Sequence, residues 1–397
     1  MAFAQSTKLS INDATWRFLI QCLKSRWDVS ALGAARQIAS RRDIDWDGLY
    51  REAQVGGVPS ILYDIVRDKE LVPPRIEEEL KLTYYVTARQ NLVRLHHLDQ
   101  VIGRLNEQSI PGIFLKGATL AETVYGNIAL RPMVDVDILV RDQDLMRVLD
   151  ALDSLGYQRD KNQSFSALND VHANEITVRK PGIRESAIEI HWSLFWFPYY
   201  QQTVPMCWFW ESRRPITLRE MPAFALGLEA QIIHACGHLL HHQAAGDEYR
   251  LLWLYDIASL IARYHREIDW DLVLTYGLRF NLVLAIRPVL LTIHKLLEPP
   301  IPQSVLDEIR DLQPTDTELR VHAWLQKIGP SFKAYAAASI MSYPDLASRI
   351  RFIWRALLFP SRNFMRNRYQ IKHPVLTPFY YPYRWIEGLA RAIRFLF

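Results

Sequence analysis

The stretch Pro132-Met133-Val134-Asp135-Val136-Asp137-Ile138-Leu139-Val140 decides the fold class of this sequence. Its apolar residues predict a buried strand, which Asp135 and Asp137 interrupt two positions apart. Because side chains alternate across a strand, both carboxylates project from one face, with their Cα atoms roughly 6 to 7 Å apart. Two such charges repel each other in apolar surroundings unless a cation compensates them. Carboxylates grouped around a divalent metal provide this compensation in many enzymes.

Glu189 is a third acid with apolar neighbours, in the stretch Ile188-Glu189-Ile190-His191. On a strand the two isoleucines face one way, while Glu189 and His191 face the other. Metal-dependent transfer at phosphorus generally needs such an acid to complete the metal's ligands or to activate the attacking hydroxyl. Glu189 is therefore the candidate third acid. A solvent-facing position on a half-exposed strand is the alternative.

The stretch Ile113-Phe114-Leu115-Lys116-Gly117-Ala118-Thr119 predicts a short strand, a glycine and then a helix. A glycine at the strand end allows close backbone approach, and the free N–H groups of the helix attract an anion such as phosphate. Lys116 would add a positive charge and Thr119 a hydroxyl. Arg131 would hold a phosphate or pair with the acids. A solvated lysine and a structural salt bridge of Arg131 are the alternatives.

The hydrophobic pattern predicts an α+β fold, in which an α/β section is flanked by N-terminal and C-terminal helical regions. Two strands, Val171–Arg179 and Glu185–Trp192, flank the turn dipeptide Pro181-Gly182 and predict an antiparallel hairpin. From about residue 223 the pattern is helical again. Four parts are predicted: a helical N-terminal region (1–108), an α/β core (109–215), a helical C-terminal domain (216–345) and a basic, aromatic-rich tail (346–397).

Composition limits the class of protein. With 397 residues and 49% apolar side chains, the chain is long enough for two or three domains with substantial cores. Its three cysteines, Cys22, Cys207 and Cys236, form neither a disulfide framework nor a zinc-ligand spacing, which favours a reducing cytosol. The stretch Leu282–Leu297 is the longest apolar run, and polar residues interrupt it, so we expect no transmembrane helix.

His234, His238 and His242 recur every four residues and would lie along one face of a helix. Histidines at this spacing can share a zinc ion, although zinc sites add a third ligand of fixed geometry. Packing against the α/β core, or contacts from His238 or His242 to a bound substrate, are favoured instead. Arg250 and Asp256 are candidate hydrogen-bond partners of these histidines in a buried polar network.

Two further patterns have structural explanations. The aromatic run from Trp192 to Trp210 is interpreted as core between the sheet and the helices, with base or sugar stacking as the alternative. Ile44-Asp45-Trp46-Asp47 and Ile268-Asp269-Trp270-Asp271 predict helix N-caps at Asp45 and Asp269.

The C-terminal residues are strongly basic, with arginines interleaved among aromatic side chains and Glu387 as the one acid after residue 349. Such a pattern binds anionic membrane surfaces or polyanions, or else is a solvated helix face. Residues 373–397 are therefore a candidate for peripheral membrane contact, which the periodic basic and aromatic residues favour over nucleic acid.

Five motifs occur in a fixed order along the chain: Leu115-Lys116-Gly117-Ala118, Tyr125-Gly126, Arg131 to Val140, Leu155-Gly156-Tyr157 and Glu189-Ile190-His191-Trp192. Together they resemble the family of uncharacterised nucleotidyltransferases, within the DNA polymerase β nucleotidyltransferase superfamily, over roughly residues 12 to 300. The resemblance implies a small mixed β-sheet whose glycine motif binds triphosphate. It also implies Asp135 and Asp137 as metal ligands and Glu189 as the third acid. The superfamily usually has Gly or Ser where this chain has Ala118, so phosphate contacts would come from the backbone or Thr119.

These observations predict a metal-dependent nucleotidyltransferase that moves an NMP from an NTP to a small-molecule or protein acceptor. Mg²⁺ is the expected metal and Mn²⁺ the alternative, held by Asp135, Asp137 and Glu189. Lys116, Gly117, Ala118, Thr119 and Arg131 are the expected nucleotide contacts, and His191, His238 and His242 are candidate substrate contacts. A location in the cytoplasm, at most peripheral to the inner face of the membrane, is expected. The alternative is a non-catalytic nucleotide-binding or membrane-peripheral scaffold of the same fold.

Overall fold

The structure is a computed structural model. It describes residues 11–40, 43–159, 174–245, 250–328, 340, 346–354, 358, 359, 362, 365, 369, 371 and 373–387. Within these residues, every helix is too short or too polar to cross a membrane. Cys22, Cys207 and Cys236 are all free thiols, which agrees with the prediction of no disulfide framework.

Among the described residues, five helices precede the sheet, in the region that the sequence predicts to be helical. They are α1 (Asp13–Lys24), α2 (Val29–Ala39), α3 (Trp46–Gly56), α4 (Pro59–Val66) and α5 (Pro74–Glu107). The predicted cap of α3 is confirmed, because the Asp45 side chain accepts a hydrogen bond from the Gly48 N–H at 2.8 Å. Apolar side chains from this region pack with the C-terminal helices in the larger of the two main cores.

The central sheet has seven strands in the order β3-β4-β5-β2-β1-β7-β6. The strands are β1 (Ile113–Phe114), β2 (Val136–Leu139), β3 (Gln158–Arg159), β4 (Glu175–Arg179), β5 (Ile188–His191), β6 (Arg214–Leu218) and β7 (Met221–Ala225). The pairs β2/β5 and β1/β7 are parallel, whereas the other neighbouring pairs are antiparallel. The predicted mixed sheet flanked by helices is therefore confirmed, as is the antiparallel pairing of β4 with β5. The first residues of the predicted hairpin, 171–173, lie outside the described part of the chain.

The described residues between these strands include short helices. They are α6 (Lys116–Leu120), a single π-helical turn (Ala121–Tyr125), α7 (Leu145–Asp153), α8 (Pro198–Thr203) and α9 (Met206–Glu211). Strand alternation in β2 then separates two environments. Val136 and Ile138 pack in the second core with α5 and α7, and Asp137 projects from the opposite face. The acid is therefore directed toward the C-terminal helices.

The observed secondary structure differs from the predicted one at residues 214–225. Residues 214–225 form the hairpin β6–β7, which pairs with β1 through β7 and extends the sheet. The predicted boundary at 215 passes through β6, and the helical pattern expected from 223 starts later. The strands are short, and Pro215 and Pro222 interrupt the apolar alternation that identifies strands in a sequence. Their pairing with the distant β1 gives them their place in the sheet.

Six C-terminal helices follow in the described residues, and they divide several of the longer segments that the hydrophobic pattern predicts. They are α10 (Leu228–Ala245), α11 (Leu251–Tyr264), α12 (Trp270–Arg279), α13 (Val283–Leu297), α14 (Gln303–Asp311) and α15 (Asp316–Ile328). A further helix, α16 (Leu346–Ile353), lies in the tail. The predicted cap of α12 is confirmed, because the Asp269 side chain accepts from the Leu272 N–H at 3.1 Å. Most of residues 331–358, and residues 388–397 of the tail, lie outside the described residues.

Candidate active site

The parallel pairing of β2 with β5 brings acids from distant parts of the chain together. Asp137 is directly opposite Glu189 in the ladder, and β4 adds Glu175 opposite His191. These side chains form one wall of a cavity of about 840 Å³ between the sheet and the helices. Asp135 lies just before β2 and lines the same cavity. The structure thus gathers the three predicted acids at one place.

Asp137 is the centre of this acid cluster, which we define as Asp135, Asp137, Glu175, Glu189 and His191. Its Oδ1 lies 2.8 Å from the Lys116 Nζ and 2.9 Å from the His191 Nε2. The side chain is 4% exposed. Burial alone would raise the pKa of Asp137, but the charges and hydrogen bonds of Lys116 and His191 hold it well below its usual range. These contacts therefore favour the ionised form of the buried Asp137 carboxylate.

His191 contacts carboxylates through both ring nitrogens. Nδ1 lies 3.1 Å from the Glu175 Oε2, and Nε2 lies 3.7 Å from the Glu189 Oε2 as well as close to Asp137. Burial lowers the pKa of His191, but hydrogen bonds to Asp137 and Glu175 outweigh it and raise the pKa to about 9. The sequence predicts His191 as a substrate contact and does not single out Glu175, whose register opposite His191 depends on the β4–β5 pairing.

The cluster carries more negative charge than its cationic neighbours balance. Burial, followed by repulsion from Asp135 and Asp137, raises the pKa of Glu189 to about 8. Burial and the charge of Asp137 likewise raise the pKa of Asp135. Carboxylates whose ionised forms are disfavoured in this way are stabilised by an added cation.

The donor atoms suit a divalent metal ion. Among the described residues, one donor atom each from Asp137, Glu189 and His191 lie within 4.8 Å of one another. The predicted ligand set of Asp135, Asp137 and Glu189 shares two members with this group. Asp135 lines the same cavity but is outside the compact group. Two carboxylates with an adjacent imidazole, in a cavity with excess negative charge, fit a divalent cation.

The predicted phosphate-binding turn, residues 116–119, is only partly directed at the cavity. Lys116 lines the cavity and adopts a left-handed backbone conformation with φ of +46° at the start of α6. Gly117, Ala118 and Thr119 are buried, and they are not among the described residues that line this cavity. The Thr119 hydroxyl donates to the Phe114 carbonyl at 2.8 Å. Of these four predicted nucleotide contacts, Lys116 alone faces the cavity.

Gly117 is required by close packing. A Cβ at this position would collide with the Arg131 Nη1 and would lie 2.8 Å from the Met133 Cγ. The missing side chain makes room for the Arg131 guanidinium, which donates to the Asp256 Oδ2 at 2.9 Å and to the Pro132 carbonyl at 3.1 Å. Tyr125 donates to the other Asp256 oxygen at 2.7 Å.

Arg131 therefore has a buried partner. It lines the cavity, but it pairs with Asp256 on α11, and its side chain is 11% exposed. Of the roles predicted for Arg131, its contacts favour the structural salt bridge. The partner is Asp256 and not an acid of the cluster. The predicted hydrogen bonds between Asp256 and the histidines of α10 do not occur among its described contacts, which go to Tyr125 and Arg131.

The opposite wall of the cavity comes from α10 and α11. His234, His238, His241 and His242 line it, with Trp253 of α11 stacked on the His242 ring at 4.4 Å. The Nε2 atoms of His238 and His242 lie 3.1 Å apart, so one ring donates and the other accepts. Burial and the charge of Lys116 lower the pKa of His238 well below its ordinary value and that of His234 to about 3.

The aromatic run is mostly core, as interpreted from the sequence. Phe195, Phe197, Tyr200, Phe209 and Trp210 are buried in the larger core. The first three of these residues also line the cavity, together with Trp196. The same segment therefore contributes to the core and to the cavity wall.

The family model described as "Uncharacterised nucleotidyltransferase" matches residues 42–298, more than half of the chain. The chain therefore belongs to this family, and the resemblance inferred from the five motifs is confirmed. No curated protein and no solved structure matches the chain. All described residues that line the cavity lie inside the matched range. The family assignment supports a role in nucleotidyl transfer.

Proposed function

We propose that the protein is a metal-dependent nucleotidyltransferase that moves an NMP from an NTP to a small-molecule or protein acceptor. The observation that carries the proposal is the convergence of Asp135, Asp137, Glu189 and Lys116 on one cavity. A volume of about 840 Å³ lies within the range of roughly 300 to 1,000 Å³ that is usual for ligand sites. Excess carboxylate charge beside a half-buried lysine suits a metal and the phosphates of a nucleotide.

Asp137 and Glu189 would hold a divalent ion, Mg²⁺ or Mn²⁺, with Asp135 beside them. When bound, such an ion neutralises charge on the triphosphate and orients it. In the reaction an acceptor oxygen forms a bond to the α-phosphorus, the bond from that phosphorus to the α–β bridging oxygen breaks, and pyrophosphate leaves. The acceptor proton goes to a carboxylate. Glu189 is the candidate base because its side chain is 25% exposed, against 4% for Asp137.

The remaining parts of the cavity have separate roles in the proposal. Lys116 contacts the phosphates, since its ammonium already lies beside Asp137 and faces the cavity. His238, His242 and Trp253 form a polar and aromatic surface suited to the nucleobase or the acceptor. Arg131 holds the chain that leads into β2, through its ion pair with Asp256.

Nucleotide turnover tests the proposal directly. The chain is incubated with each labelled NTP, Mg²⁺ or Mn²⁺ and a cell extract, and the labelled product is identified. We expect wild-type protein to consume an NTP, and Asp135→Asn and Asp137→Asn to lose this activity. Asp142 is an exposed acid in the same α/β region, so Asp142→Asn is the matched control and should behave as wild type. Unchanged NTP consumption and unchanged metal-dependent nucleotide binding in the two site variants would refute the proposal.

A second candidate function has one observation in its favour. The described part of the tail exposes large apolar side chains: Val375 is 81% exposed, Phe379 73% and Ile386 68%. Exposed apolar residues in a basic segment suit the cytoplasmic face of an anionic membrane. Co-sedimentation with anionic and neutral liposomes, with and without residues 373–397, tests this role. If the chain sediments equally with and without residues 373–397, the tail has no role in membrane binding.

A further inference from the structure

His191 is the one imidazole in the acid cluster. A carboxylate lies close to each of its two ring nitrogens. Nδ1 lies 3.1 Å from the Glu175 Oε2, while Nε2 lies 2.9 Å from the Asp137 Oδ1 and 3.7 Å from the Glu189 Oε2. The residue is 5% exposed, and the β4–β5 ladder places Glu175 directly opposite it. The ring is therefore held between Glu175 on one side and two carboxylates on the other.

This arrangement is typical of a metal-ligating histidine. Such a residue almost always donates its second N–H to a carboxylate, a backbone carbonyl or water, which sets the tautomer and raises the basicity of the coordinating nitrogen. Glu175 occupies that position at Nδ1. Nε2 is then directed at the space that donor atoms of Asp137 and Glu189 share, all within 4.8 Å of one another.

We infer that His191 releases its Nε2 proton to solvent and binds the divalent metal through Nε2, in a site completed by Asp137 and Glu189, with Glu175 as the positioning residue. This inference rests on the proposed function and specifies its metal site. It differs from the all-carboxylate set expected from the sequence, because an imidazole takes a ligand position and Asp135 lies outside the compact group. An imidazole donor favours a first-row transition ion, with Mn²⁺ as the usable probe, over Mg²⁺, which prefers oxygen ligands.

Pulsed electron paramagnetic resonance of Mn²⁺ identifies its ligands without any turnover. Mn²⁺ alone is added to the full chain and to a chain labelled with ¹⁵N at histidine. We expect echo modulation from a directly bound ¹⁴N in the unlabelled protein and from ¹⁵N in the labelled one. His191→Gln should lose the nitrogen signal and bind Mn²⁺ about tenfold or more weakly, whereas His238→Gln, from the opposite wall, should keep both.

Glu175→Gln tests the positioning role. We expect Mn²⁺ to bind roughly 10- to 100-fold more weakly while the nitrogen modulation remains, because the ligand is present but less well oriented and less basic. A nitrogen signal with unchanged Mn²⁺ affinity in this variant would remove Glu175 from the inference.

The possible outcomes separate the inference from the proposed function. Mn²⁺ bound to wild type without nitrogen modulation, or modulation that survives His191→Gln, would overturn His191 as a ligand and leave the metal-dependent transferase intact. Failure of wild type to bind Mn²⁺ at all would count against both.

If His191→Gln does not fold, single glutamine variants of the other cavity histidines decide the question. These are His234, His238, His241 and His242. A signal retained in all four supports His191, and a signal lost in any of them overturns it.

Discussion

Replacement of Asp256 by asparagine tests whether Arg131 is a structural residue. The Arg131 Nη2 lies 2.9 Å from the Asp256 Oδ2, and the two side chains are 11% and 9% exposed. Asparagine would keep an acceptor for the Tyr125 hydroxyl, but it would leave the buried guanidinium without its ion-pair partner. Loss of one member of a buried ion pair typically costs about 3 to 5 kcal/mol, so we expect the free energy of unfolding to fall by that amount.

Urea unfolding at pH 7 measures the effect, and an exposed ion pair provides the control. Arg75 and Asp47 also form an ion pair, but their side chains are 59% and 62% exposed, so Asp47→Asn should leave the free energy of unfolding almost unchanged. The double variant Arg131→Met with Asp256→Leu should regain much of the loss, because it removes both buried charges. An Asp256→Asn protein as stable as Asp47→Asn would refute the structural role of Arg131.

Three further predictions concern stability. Gly117→Ala would place a Cβ against Arg131 and Met133, so we expect a loss of about 1 to 3 kcal/mol in urea unfolding, and an unchanged midpoint would contradict the packing argument. Burial raises the pKa of Glu318 from 4.5 to about 7. The unfolded chain therefore releases this proton first, and the contribution of Glu318 to the free energy of unfolding should fall by up to about 3 kcal/mol between pH 4.5 and 7 and then level off. In Glu318→Gln this part of the pH dependence should be missing. Unfolding free energies with the same pH dependence in both proteins would contradict the prediction. Asp45→Ala removes the cap of α3 and should cost about 1 kcal/mol by thermal unfolding, with no loss expected if the cap is unimportant.

Local sequence patterns were sufficient for features that depend on one segment of chain. Alternation in β2 directs Asp137 away from the face of Val136 and Ile138 because side-chain direction is a property of the strand itself. The caps at Asp45 and Asp269 depend on a side chain and an N–H three residues away, so they too follow from spacing. The acid Glu189 could be recognised because its apolar neighbours predict a strand.

Tertiary structure decided the contacts between segments that are far apart in sequence. The partner of Arg131 is Asp256, which lies 125 residues away on α11. No local pattern distinguishes Asp256 from the acids near β2. The register of β4 against β5 places Glu175 at His191, which turns a predicted substrate contact into a candidate metal ligand. The hairpin β6–β7 joins the sheet through β1, although its own strands are short and contain prolines. Sequence alone therefore predicted the acids that line the cavity, whereas long-range pairing and packing decided which side chains surround them, because hydrogen-bond register and burial form only when distant segments meet.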